Sequence, residues 1–115
     1  MSHISITDVA DDLEPGDLTH REVLTAGPLT VEVGKYPADG AVPKNSHNEQ
    51  ELYYVLSGSG KLRVGDDTHE ISAGDLVAVE PDLEHDFFHI TEEITVLIIL
   101  GPSANPTSYG IRERE

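Results

Sequence analysis

N-S-H-N-E-Q-E-L-Y-Y-V-L-S-G, residues 45–58, is the stretch that says most about how this chain folds. A β-strand turns alternate side chains to opposite faces, so in an extended chain Asn45, His47, Glu51, Tyr53 and Val55 look one way. Leu52, Tyr54 and Leu56 look the other way. A strand apolar on both faces needs a layer on each side, from this chain or from a partner subunit. The first face also carries chemistry. His47 offers an imidazole, Glu51 a carboxylate, and His85 waits further along, after the turn E-P-D-L-E. Two histidines and one carboxylate suit a first-row divalent metal and leave coordination positions open for water, substrate or oxygen. The spacing of His47 and Glu51 is common in unrelated chains, and taken alone it fits a solvated strand end. The apolar run L-Y-Y-V-L after Glu51 changes the balance. A carboxylate leading into a buried strand needs a partner charge, a hydrogen bond or a metal.

Outward from this stretch the signals stay β. Upstream, Leu29, Val31 and Val33 alternate with Thr30, Glu32 and Gly34, the pattern of a half-buried strand that ends at Tyr36-Pro37. Downstream, S-G-S-G reads as a tight turn, Leu62 and Val64 alternate with Lys61 and Arg63, and G-D-D reads as a hairpin turn. His69 and Ile71 share the inner face of the next strand, and L-V-A-V (76–79) is a short buried one. In H-D-F-F-H-I, the residues His85, Phe87 and His89 share a face. T-E-E then reads as a turn before I-T-V-L-I-I-L, the most apolar strand of all. Short strands, close turn signals and no long helical period predict an all-β sandwich or barrel. Residues 1–28 form an acidic arm with an edge strand (Ile4 and Ile6) and one helical turn, 29–101 the barrel, and 102–115 an extended tail anchored by Tyr109 and Ile111.

Composition narrows the function. The 115 residues make one domain with a modest core. With no cysteine there is neither a disulfide framework nor a thiolate site. Asp plus Glu number 22 against 7 Lys plus Arg, a formal net charge of −15. Nucleic acid needs a basic footprint, and anionic membrane surfaces repel such a chain, so neither is an expected partner. The N-terminus is too polar for a signal peptide and no apolar run could span a bilayer, so the expected compartment is the cytoplasm. So acidic a chain fits ordinary solubility or a high-salt cytoplasm, and the scarcity of lysine favours the salt-adapted alternative.

His47, Glu51 and Gly58, followed by Gly74-Asp75, Pro81 and His85, resemble the two motifs of the cupin family. The likeness runs from about Leu29 to Gly101 and is closest to small single-domain cupins. It implies a double-stranded β-helix, or jelly-roll barrel, holding one divalent transition metal (iron, manganese, nickel or zinc) on His47, Glu51 and His85. It also implies a homodimer. The chain departs from the pattern at Asn45, where the first motif usually begins with histidine, and at Leu83, where glycine is frequent. Water, Asn45 or His89 is left as the fourth ligand, His89 more naturally behind the first ring of ligands. Tyr53, Phe87 and His69 are the other pocket residues. Tyr53 is the candidate acid or base, against the simpler role of a core tyrosine. Three functions remain open: a metal-dependent dioxygenase, isomerase or lyase acting on a small organic molecule, a non-catalytic ligand-binding or sensing module, or a metal-free structural barrel. No residue pattern selects a substrate.

Overall fold

The computed structural model describes residues 3–13, 20–40 and 48–101. Asn45, His47 and the tail with Tyr109 and Ile111 lie outside the described residues. The chain runs α1 (Ile6–Asp12), β1 (His20–Ala26), β2 (Leu29–Tyr36), β3 (Glu51–Val64), β4 (Asp67–Ser72), β5 (Leu76–Val79) and β6 (His85–Leu100). The strands are hydrogen-bonded in the order β1-β2-β6-β3-β4, with β5 also on β3, and every pairing is antiparallel. Among the described residues no helix is long and apolar enough to cross a membrane.

The spine is the pair β3 and β6, 14 and 16 residues long. S-G-S-G is therefore not a turn but a bend inside one continuous strand, and T-E-E is likewise part of β6. The register of the pair slips three times between Val55 and Lys61. Gly58 makes the bend possible: it has a φ of 95°, and a Cβ there would collide with the Glu93 carbonyl oxygen. Only glycine lets two backbones come so close in that conformation. Before the bend, Glu51–Val55 lies between β6 and β5. After it, Ser59–Val64 lies between β6 and β4.

Folding the spine over closes the barrel. Glu51 pairs with Leu100 at one end and Val64 with His85 at the other, yet the Glu51 and His85 side chains are 3.2 Å apart. Between the two halves lies a single core built on Val55, Leu62, Phe87, Ile90, Ile94 and Val96, all nearly or fully buried. Burial on the first half of β3 follows the alternation, with Glu51, Tyr53 and Val55 inside and Tyr54 and Leu56 exposed.

At β2 the alternation runs opposite to expectation. Glu32, Gly34 and Tyr36 face the barrel, and Val33 faces outward. The cause is α1. Ser5 caps it by accepting from the Asp8 amide, and Ala10 and Leu13 then pack on Val33 outside the barrel. Lys35 ties the layer down by donating to the Ala10 carbonyl at 3.1 Å. With an outer apolar partner for Val33, the strand can turn its polar face inward. Ile6 belongs to this helix, and the edge strand is β1 rather than a segment at Ile4.

Candidate functional site

The inner face of the first half of the barrel is ordered in cross-strand rows. Thr30, Leu100, Glu51 and Val79 form one, and Glu32, Ile98, Tyr53 and Val77 form the next. Deeper rows are apolar or small, Gly34, Val96 and Val55 followed by Tyr36 and Ile94. His85 and Phe87 come from the opposite half. The polar groups thus gather at one end of the barrel above a hydrophobic floor.

Glu51 and His85 are 3% and 2% exposed. The His85 Nδ1 lies 3.1 Å from the Leu83 carbonyl, which can only accept, so Nδ1 carries the proton and Nε2 faces Glu51 Oε1 at 3.2 Å. Burial by itself lowers the pKa of His85. The hydrogen bond to Glu51 and the charge of that carboxylate raise it by more, so the ring holds a proton above its ordinary range. Leu83, which stands where related motifs often carry glycine, thus contributes its backbone to orienting the histidine.

Tyr53 hydrogen-bonds the same carboxylate. Its own pKa is pushed well above 10, first by burial and then by Glu51, with Tyr36 and Glu32 adding to the effect. It stays a neutral phenol and a hydrogen-bond donor at any physiological pH. Its ring meets Phe87 edge-on at 5.1 Å between centroids, and Tyr36 meets Phe87 at 5.2 Å. Phe87 is thus a wall of the same interior.

Two sequence candidates are placed elsewhere. His89 is exposed and has a φ of 50°. That backbone breaks the alternation of β6, and Ile90, 1% exposed, takes the inward place. His89 instead lines an outer cleft with Ser59, Lys61, Glu70 and Thr91. His69 is exposed on β4, at the edge of the sheet, while its strand neighbour Ile71 is buried. His69 keeps the inward register, paired with Leu62 in the row of Phe87, but at the sheet edge it stays exposed and apart from the Glu51–His85 pair, and His89 is turned off that face. Among the described residues no three His, Cys, Asp or Glu side chains form a metal-binding group, and His47 lies outside them.

The sequence pattern missed Glu32, a carboxylate only 2% exposed inside the barrel. Its signal was the parity it shares with Gly34 and Tyr36, which competes with the more aliphatic parity of Val31 and Val33.

Known proteins agree with this architecture. A family model described as the cupin domain matches residues 32–101. An uncharacterised protein of Streptomyces coelicolor is 33% identical over 72 residues, covering 61% of this chain and 69% of its own length. A crystal structure of a Thermus thermophilus protein superposes with a TM-score of 0.76 at 16% identity, covering 88% of this chain and 98% of that one. A cupin-2 domain protein of Shewanella frigidimarina gives 0.71 at 17% identity, covering 90% and 94%. Identities this low show a shared fold. Together with the family match over most of the barrel, they make the conclusion plain: this chain belongs to the cupin domain family.

Proposed function

We propose that this cupin holds one divalent transition metal through His47, Glu51 and His85 and uses it on a small organic molecule bound in the barrel. The Glu51–His85 pair carries the reading. With Nδ1–H committed to the Leu83 carbonyl, the neutral ring turns the Nε2 lone pair toward a carboxylate oxygen 3.2 Å away. Two buried acceptors so close repel unless a proton or a metal ion lies between or beside them. A histidine that donates its second ring nitrogen to a backbone carbonyl is also the usual arrangement of a metal-ligating imidazole. The donor set, two nitrogens and a carboxylate, fits iron, manganese, nickel or zinc.

When bound, such a metal supplies Lewis-acid polarisation or, as iron, oxygen chemistry. The chain's own groups do the rest. Leu83 orients His85, and Tyr53 orients Glu51. Asn45, two residues before His47, stands where the first motif usually begins with histidine, and it or water would complete the set. The apolar floor takes the body of the ligand. Dioxygenase, isomerase and lyase chemistry all remain compatible with this arrangement.

Elemental analysis of protein purified without a metal-affinity tag or chelator tests the reading. About one metal per chain is expected, lost in Glu51→Gln and His85→Ala while the far-ultraviolet β signal persists. Metal content unchanged in both variants rejects the ligand set. A second reading, a binding module without turnover, gains if a proton takes the place of the metal in the Glu51–His85 pair. Native protein that takes up none of the four metals on reconstitution would favour it.

A further inference from the structure

We infer that the gap in the barrel wall between β4 and β5 is a second binding site, one that takes a small alcohol with its hydroxyl on His69 and its apolar body on Ile71 and Val77. The site lies outside the Glu51–His85 pair and does not depend on a metal there.

The gap follows from the sheet topology. β6 runs along one edge of β3, while β4 and β5 share the other, each paired with β3 and not with one another. The corner that joins them is pinned. The Gly74 amide donates to the Val55 carbonyl at 2.8 Å, and the Val55 amide donates to the Asp75 carbonyl at 2.9 Å. The Asp75 carboxylate then accepts from the Ser72 amide at 2.9 Å. From this corner the two strands part and leave a cleft of about 390 Å³, lined by His69, Glu70, Ile71, Asp75 and Val77 among others. A cleft held by backbone hydrogen bonds is preformed, so a ligand does not have to order it.

The lining has an apolar part and a polar part. Ile71 is 4% exposed and belongs to the barrel core, and Val77 packs against that core. Val77 is also the cross-strand neighbour of Tyr53. The cleft thus reaches the flank of the core, where an apolar body displaces water. His69 is exposed and lines the same cleft, on the edge strand two residues before Ile71. An imidazole donates and accepts hydrogen bonds, whereas the carboxylates of Glu70 and Asp75 only accept. A ligand group that meets these three must therefore donate, which suits a hydroxyl and disfavours a carboxylate or phosphate. An ammonium ion would lose hydration against the apolar wall in return for carboxylates that solvent screens.

Methyl-resolved NMR of the full-length protein, titrated with cyclohexanol, tests the site. The methyl signals of Ile71 and Val77 are expected to shift and to saturate at about millimolar probe, the range for so small a ligand. Cyclohexanecarboxylate is expected to bind at least about tenfold more weakly. His69 is exposed, so substitutions there leave the core intact. His69→Ala is expected to weaken cyclohexanol about three- to tenfold, and His69→Trp, which fills the cleft, to abolish the shifts. The inference is overturned if Ile71 and Val77 do not respond, if the carboxylate or cyclohexylammonium binds as tightly as the alcohol, or if either variant binds like the native chain. The same titration after chelator treatment separates this site from the metal centre. Shifts that persist support the cleft, and shifts that vanish with the metal place the alcohol at Glu51 and His85 and reject it.

Discussion

Gly58 and Gly74 have nearly the same positive φ, 95° and 96°, but different surroundings. A Cβ at Gly58 collides with the Glu93 carbonyl, whereas one at Gly74 meets nothing within 4 Å. Gly74→Ala carries only backbone strain and is expected to cost about 1–2 kcal/mol. Gly58→Ala must also push β3 and β6 apart at the bend, and about 3–5 kcal/mol is expected. Urea denaturation of the two variants measures the difference, and equal losses would contradict the close approach. His85 gives a pH dependence at the same scale. Its folded pKa is raised above the unfolded value of 6.5, so in metal-free protein its contribution is fully present below that pH. It is lost as pH rises through the folded pKa. Stability of the metal-free chain should therefore fall with rising pH over that window, and Glu51→Gln should remove this component. A flat profile in the native chain would argue against the ion pair.

Among the elements, β3, β5 and β6 share an outer face. Leu52 pairs with Ala78 and Ile99, and Tyr54 with Leu76 and Leu97. Leu76 is 65% exposed and Tyr54 40%, so large apolar groups stand in water side by side. None of these positions is acidic in a chain with 22 acids. A basic partner would be better served by acids on this face. Two copies of a chain at −15 can meet only where acids are absent, so this face suits a second copy. Light scattering at micromolar concentration is expected to give a dimer, and Tyr54→Glu or Leu76→Glu a monomer. A native monomer would reject the interface. The outward parity of Leu52, Tyr54 and Leu56 was legible, because strand geometry sets it. The exposure of Leu76 was not. L-V-A-V reads as buried throughout, and only the sheet shows that Leu76 ends the row Val33–Leu97–Tyr54–Leu76, beyond the part that α1 covers.

For the whole molecule, charge governs how the chain responds to its solvent. A chain at −15 repels itself when compact, and salt screens that repulsion over about 10 Å at 0.1 M and less above it. Stability is expected to rise from low to molar potassium chloride, by more than an ordinary domain gains. Denaturation midpoints that did not move would leave solubility as the role of the acids. The fold itself closes for a different reason, the burial of the core between the two halves of the bent β3–β6 spine.

What the sequence determined alone is local and periodic. Alternation put Glu51, Tyr53 and Val55 on one face, the motif residues pointed to a cupin barrel, and the proline turn delivered His85 to the start of β6. Each follows from chain geometry over a few residues. Tertiary structure decided what depends on covering and closure. Gly58 reads as a turn until its approach to Glu93 shows a bend inside a strand. His89 reads as inward until its positive φ turns it out, and His69, inward in register, is left exposed by its place on the edge strand. Glu32 reads as solvated until α1 claims Val33 and reverses the faces of β2. At Gly58 and Glu32 the deciding neighbour is distant in sequence, and strand periodicity carries no information about that neighbour.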